Sequence, residues 1–198
     1  MLTVSTVNVI RFGDSLKAAK IPSVISAFNK TYPPLTPRWA RMELDSHANM
    51  IVLGRTCHLS TAPGSKGYAT VKSFNPDAAS IEIPMVDAEV AWLDPTTSFI
   101  HLLKFENVLY VDTMDHHLIS LFILREAGYT VNDTARIHTN LENLDNYTHC
   151  IVGNESERPI RIPLELKGVF SFFDVAIPDP KDYLVPEERI HVMTPNYE

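Results

Sequence analysis

The carboxylate of Asp45 is the side chain of this sequence best placed to do chemistry. An apolar strand leads into the turn Asp45-Ser46-His47-Ala48, and a second apolar run, residues 50–53, follows before Gly54. Two carboxylates held close together can share one proton, so that the charged one draws a proton from a water while the neutral one donates its own. A chain with one such turn supplies one carboxylate. Asp45 would therefore have to meet its own copy in a two-fold dimer.

An ordinary turn and a metal site are the alternatives to this chemistry. Asp and Ser are both common turn residues, so a junction of Leu44, Asp45 and Ser46 needs no catalytic role. A metal site would use carboxylate, imidazole and thiol ligands. The residues available for it are Asp45, His47, Cys57, His58, His116 and His117. Side chains of adjacent residues diverge on a strand, and neither HExxH nor CxxC occurs, so we expect no metal and no other cofactor.

The composition is typical of a soluble globular protein that does not bind nucleic acid. The 198 residues carry a formal net charge of −7, and the basic residues do not form the stripe that a phosphate backbone requires. Cys57 and Cys150 are far apart, which favours a reducing compartment. Residues 1–11 lack the apolar core of a signal peptide, and no segment approaches the ~20 apolar residues of a membrane span. We therefore expect a cytoplasmic protein without membrane contact.

Strand patterns dominate the chain and place the Asp45 turn between two strands. Residues 39–44 precede the turn and residues 50–53 follow it. Residues 81–93 and 98–111 are long and strand-like, and Pro95 between them suits the second position of a tight turn. These two segments are therefore predicted to form a β-hairpin.

Helix patterns are few. Residues 118–127 have apolar side chains at helical spacing, with Gly128 as the C-cap, and residues 21–28 are a second, shorter candidate. Taken together, the patterns predict a mostly β protein with one or two short helices and a closed, barrel-like sheet.

The turn and a second segment resemble the protease region of copia-type retrotransposon polyproteins. The usual loop of retroviral-type aspartic proteases is Asp-Thr/Ser-Gly-Ala, and residues 45–48 depart from it at His47, as in some copia-type elements. Residues 107–128 are similar to the block that closes the protease domain, in which an Asn-Val-Leu-Tyr-Val-like strand precedes Leu-Ile-Ser and a short helix ending in Gly. Residues 162–173 resemble the stretch between protease and integrase. The resemblance covers residues 40–175.

This resemblance implies a retropepsin-like closed β-barrel, the acid protease fold, in a homodimeric aspartic endopeptidase that cleaves a Gag-Pol polyprotein. The implied partners are a second copy of the chain and a polypeptide substrate. Asp45 is the implied catalytic carboxylate, Ser46 hydrogen-bonds across the dimer axis, and Ala48 belongs to the loop. The hairpin of residues 86–104 is one candidate for the flap over the substrate, and the segment 68–83 is the other.

Histidine at position 47 leaves the activity open. Glycine in the usual loop lets two backbones approach closely, because it lacks Cβ and tolerates positive φ. His47 could point into its own subunit, hydrogen-bond Asp45, or block closure of the dimer. The last arrangement gives the alternative function, a catalytically silent retropepsin-like binding or assembly module.

The chain is expected to have three parts. Residues 1–38 form an N-terminal extension, and residues 39–175 form the retropepsin-like protease domain. Residues 176–198 are rich in proline and charge, which predicts a loosely attached C-terminal tail.

Overall fold

A computed structural model describes residues 7–8, 38–72, 79–134, 149–153, 159–168 and 170–196. Most of these residues belong to strands, as the sequence predicts. The strands are β1 (Val7–Asn8), β2 (Trp39–Asp45), β3 (Val52–Leu53), β4 (His58–Leu59), β5 (Tyr68–Lys72), β6 (Ile81–Leu93), β7 (Ile100–Tyr110), β8 (His117–Ser120), β9 (Tyr129–Asp133), β10 (His149–Gly153), β11 (Ile160–Pro163), β12 (Glu165–Lys167), β13 (Phe170–Ala176) and β14 (Ile190–Val192). The helices are α1 (Leu121–Glu126) and two 3-10 helices, Pro180–Leu184 and Glu187–Arg189.

Six strands of the larger sheet pair in a ring. Their order is β6, β13, β2, β8, β3 and β7, and β7 pairs again with β6 along their whole hairpin. Two joints of this ring are single residue pairs, Ala176 with Ala91 and Val52 with Leu118. The sheet therefore closes partly on itself. Strands β9, β10 and β11 form a separate antiparallel sheet.

The strands of the ring are strongly staggered. Residues paired at one level around the ring are, in order, Glu43, Leu118, Val52, Leu109 and Met85. On β6, however, the residue that leads back to β2 is Ala91, which pairs through Ala176 with Trp39. A path along paired residues that starts at Glu43 and goes once around the ring therefore returns to β2 at Trp39. Strands that tilt to close a sheet need such a stagger.

Every strand of the ring contributes to one core. Because side chains alternate across a strand, one face of each strand supplies apolar residues. The core residues of the six ring strands include Met42, Leu53, Val90, Leu103, Phe105, Ile119 and Phe173, all buried. Burial of each large apolar side chain contributes about 1.5–3 kcal/mol. This core supports β2 beneath the Asp45 turn.

The predicted hairpin is confirmed, and the predicted helix is partly wrong. Strands β6 and β7 pair antiparallel on either side of the turn at residues 94–97. The helix begins at Leu121, since Leu118 and Ile119 belong to β8 and pair with β2. It ends at Glu126, one residue before the predicted end, and Gly128 follows with a φ of 88° and an N–H that donates to the carbonyl of Arg125.

The prediction of a loosely attached tail is wrong for residues 176–196. Asp182 is 4% exposed and accepts a hydrogen bond of 3.0 Å from Nη2 of Arg38, which also pairs with Asp179. Strand β14 then pairs in parallel with β7, and Met193 is fully buried. An arginine at the start of β2 and a strand pairing therefore hold this proline-rich segment on the sheet.

Most of the predicted N-terminal extension lies outside the described residues. Its described part, Val7–Asn8, pairs in parallel with β5, whereas the helix predicted over residues 21–28 falls where nothing is described. In the described part of the chain, no helix has the length and apolar character needed to cross a membrane.

Candidate active site

The predicted site residues lie in one turn at the end of β2. Asp45 is the last residue of that strand and is half-buried, Ser46 and His47 are exposed, and Ala48 is buried. Strand β8 lies between β2 and β3, parallel to the first and antiparallel to the second. The two strands that the turn connects are therefore held apart by a third, and the tip of the turn at Ser46 and His47 is exposed.

One oxygen of the Asp45 carboxyl group is held by the backbone of its own turn. Oδ1 accepts hydrogen bonds from the N–H of His47 at 2.9 Å and from the N–H of Ala48 at 3.2 Å. Both bonds reach the same oxygen, so they orient the carboxyl group relative to the end of β2. Short-range bonds of this kind are common where aspartate begins a turn, and here they fix the orientation of the carboxyl group.

His47 takes the place of the usual glycine without an unusual backbone. Among the described residues, the non-glycine positions with positive φ are Ser98 and Asn107, so His47 has a conformation that any residue adopts. Its backbone N–H bonds Asp45, while Nδ1 of its ring lies 3.1 Å from Oγ of Ser46. The hydrogen bond between His47 and Asp45, one of the three arrangements considered for this histidine, is therefore present, but the main-chain N–H of His47 makes it. The imidazole of His47 contacts Ser46 instead.

Ser120 supports the turn and was not among the predicted site residues. It is fully buried, pairs with Asp45 in the sheet, and its Oγ donates a 2.5 Å hydrogen bond to the carbonyl of Ala48. The same oxygen accepts from the N–H of Ile123 at 3.3 Å and so caps α1. The signal that could have found it is a serine directly before a helix, a common N-cap.

Replacing Ser120 with alanine is expected to lower the free energy of unfolding by about 1–2 kcal/mol. The change leaves the buried Ala48 carbonyl without its donor and removes the cap of α1. Urea denaturation measures the difference. The control is Ser46→Ala at an exposed position, expected to stay within about 0.5 kcal/mol of the parent chain. Equal effects of the two substitutions would contradict a supporting role for Ser120.

His117 and Cys57, two of the residues considered as metal ligands, have other hydrogen-bond partners. Nδ1 of His117 accepts from the N–H of Gly54 at 2.9 Å, and Nε2 donates to the carbonyl of Thr56 at 3.1 Å, so both ring nitrogens are occupied. Burial lowers the pKa of His117 to about 4 and raises that of the Cys57 thiol to about 12. Cys57 is thus a buried, neutral thiol whose Sγ donates to the carbonyl of Gly54 at 3.3 Å. No three His, Cys, Asp or Glu side chains of the described residues converge to hold a metal ion.

The turn of the β6–β7 hairpin does not begin near Asp45. Leu93 and Ile100, at the base of that turn, line a cavity of about 160 Å³ together with Arg38 and Trp39. Trp39 and Asp45 are the two ends of β2, and seven residues of strand span roughly 20 Å. This geometry places the turn of the first flap candidate, which would be the tip of the flap, at the far end of β2 from Asp45.

The β5–β6 hairpin packs against residues that directly follow the Asp45 turn. Ala69, Val71 and Ile83 form a small buried cluster with Val52, and Met50 packs against it. The arms of this hairpin pair antiparallel, while residues 73–78 between them lie outside the described part. Of the two flap candidates, this one is adjacent to the turn.

Comparison with protein-family models, with curated proteins and with solved structures gives no match to this chain. The chemistry of the Asp45 turn therefore has to be inferred from the residues around it. Those residues place one oriented carboxyl group at the exposed end of a strand, with a buried serine beneath it.

Proposed function

We propose that this chain is a retropepsin-like aspartic endopeptidase that acts as a homodimer on a polyprotein substrate. The observation that carries the proposal is the Asp45 turn, in which the N–H groups of His47 and Ala48 orient the carboxyl group. Two copies meeting at a two-fold axis would bring two Asp45 carboxyl groups close enough to share one proton. The charged group draws a proton from a trapped water, whose oxygen attacks the scissile carbonyl while the neutral group donates to the carbonyl oxygen.

The partly closed ring supports the barrel that this function requires. Its six strands are staggered as strands of a closed sheet are, and each contributes to one core. Residues 107–128 also have the organisation expected from the resemblance: a strand ending at Tyr110, then Leu118-Ile119-Ser120, then a short helix followed by Gly128. The residues of this block thus lie directly behind the Asp45 turn, where Ser120 contacts Ala48.

The exposure of the turn supports the dimer. Ser46 and His47 are exposed in the single chain, so the tip of the turn is open to a second copy. His47 supplies the same backbone N–H that glycine would supply, because its φ is ordinary. In the proposed dimer the imidazole turns away from the axis, and the Ser46 hydroxyl exchanges its bond with His47 for one to the partner's turn.

The β5–β6 hairpin is the flap in this proposal. Its arms pack on Met50 and Val52, next to the Asp45 turn, so a substrate strand would lie between hairpin and turn. A flap excludes water from the reacting carbonyl and holds the peptide extended across the two carboxylates.

The test is a cleavage assay on the full chain with unstructured polypeptides in mildly acidic to neutral buffer. We expect cleavage that follows the concentration of dimer and is abolished by a statin-type transition-state inhibitor, since such a compound mimics the hydrated carbonyl. Sedimentation of the same sample gives the mass of the assembly. A monomer that cleaves peptides would exclude the shared pair of Asp45 carboxylates.

A dimer that cleaves nothing would favour the alternative, a silent binding or assembly module. In that case the imidazole of His47 would account for the absence of cleavage, because it adds bulk at the axis where two turns meet. Replacing Asp45 with asparagine would then leave the mass of the assembly unchanged.

A further inference from the structure

Two buried histidines join the C-terminal strand to the ring. His101 on β7 is 8% exposed, His191 on β14 is 4% exposed, and Nδ1 of the first lies 3.0 Å from Nε2 of the second. The rings are stacked with centroids 5.2 Å apart, and Trp92 lies beside His101 at 5.3 Å. A hydrogen bond between two imidazoles requires one nitrogen to donate its proton and the other to accept with its lone pair. The facing nitrogens therefore cannot both carry protons.

Strand β14 is short, and this histidine pair lies at its centre. Only Ile190–Val192 pair with β7, with His191 opposite Leu103. Beyond the strand, the N–H of Met193 donates to the carbonyl of Lys104 at 2.8 Å, and Oγ1 of Thr194 accepts from the N–H of Glu106 at 3.0 Å. In the described sheet β14 is the last strand of the order, with β7 as its neighbour. Oη of Tyr129 also donates to the carbonyl of Val192 at 3.0 Å, so the histidine pair acts together with a small set of backbone and side-chain bonds.

We propose that the His101–His191 pair is an acid-sensitive latch that holds β14 on β7 at neutral pH and releases it when the pair takes up protons. The first added proton places a charge in a buried site, and a second sets two N–H groups against each other. Release uncovers the edge of β7 at Leu102–Lys104 and the apolar site of Met193. The latch goes beyond the proposed protease function and does not depend on it.

Burial sets the direction in which the pair responds to pH, and two nearby charges modify it. Burial is the largest influence on His101 and lowers its pKa from the ordinary 6.5; Asp94 in the β6–β7 turn opposes this, and Arg189 in the second 3-10 helix adds to it. The contact from β6 is Trp92, which carries no charge. A histidine with a lowered pKa in the folded state stabilises the contact fully above pH 6.5 and progressively less as the pH falls.

The test is amide hydrogen exchange of the full chain from neutral to mildly acidic pH. We expect the protection factors of residues 190–193 to fall several-fold more on acidification than those of Ala40 and Met42 in β2, which report general loss of stability over the same range. Parallel loss of protection in β14 and β2 would mean general unfolding and would overturn the latch.

The matched variant is the double substitution His101→Asn with His191→Gln. Asparagine places an amide near the position of Nδ1, and glutamine places one near Nε2, so a hydrogen bond is kept without a titrating group. In this variant the protection of residues 190–193 is expected to fall no more with pH than that of β2, and an unchanged extra fall in β14 would refute the proposal. If the variant does not fold, NMR titration of the two rings in the parent chain decides instead. Titration with no change in β14 protection overturns the latch, and titration together with release supports it.

Discussion

Replacing Asp45 with asparagine is expected to lower the rate of peptide cleavage by roughly 10³-fold, within the range usual for loss of an acid–base group. Asparagine keeps a carbonyl oxygen that can accept from the N–H groups of His47 and Ala48, so the turn keeps its shape. It cannot share a proton with its copy, and both halves of the pair are lost at once. Initial rates on one peptide, measured at equal dimer concentration, give the ratio.

Asp112→Asn is the matched control for this substitution. Asp112 is exposed on the segment between β7 and β8, and the change removes the same charge without touching the turn. Its cleavage rate is expected to equal that of the parent chain. If Asp45→Asn retains the parent rate while both variants have the parent mass and stability, the shared carboxylate pair is not the source of the activity.

Acidification from pH 6.5 to about 4 is expected to lower the free energy of unfolding by about 3 kcal/mol through His117 alone. Burial holds the pKa of this histidine at about 4 in the folded chain, against 6.5 ordinarily. Between these values the unfolded chain binds a proton that the folded chain does not, so stability falls as the pH falls. One pKa unit corresponds to about 1.4 kcal/mol, which gives the expected size. Urea denaturation across this pH range measures it.

The variant His117→Gln distinguishes the contribution of His117 to the pH dependence of stability from that of the other buried histidines. Glutamine can still donate to the carbonyl of Thr56 and does not titrate, so the stability of the variant is expected to depend less steeply on pH. Some slope remains, because burial also lowers the pKa of His101 and His149. If the free energy of unfolding of the variant falls as steeply with pH as that of the parent chain, His117 is not the acid-sensitive group. The proposed carboxylate pair works in mild acid, where this fold loses stability, so its acid limit is expected to follow unfolding.

Local patterns predicted the strands well. Residues 81–93 were predicted as one long strand with the bounds that β6 has, and Pro95 marked the turn that leads to β7. The helix was predicted to begin before its actual first residue, because the apolar run at Leu118 and Ile119 suits a helix and a buried strand equally. Pairing with β2 decides between them, and that pairing involves residues far away in the sequence.

Long-range contacts explain the other differences. Proline and charge in residues 176–198 predicted a loose tail, since composition does not reveal that Arg38 binds Asp179 and Asp182. The Asp45 turn was predicted from its residue types together with the resemblance, and its position at the end of β2 agrees with the strand pattern around it. Ser120 was missed because its role depends on the pairing of β8 with β2, and alternation specifies which face of a strand is buried but not which strand lies beside it.

The neighbours of β2 in the ring also determine when the turn can form during synthesis. Glu43 pairs with Leu118 on one side and with Phe172 on the other, so both partners of β2 are made long after it. Pairing of distant segments is slow, because a long loop must close before any contact forms. A nascent chain that ends before β8 therefore has residues 39–45 without either neighbour and Ala48 without Ser120. The carboxyl group gains its support only when most of the chain has been translated, so the order of synthesis itself delays assembly of the site.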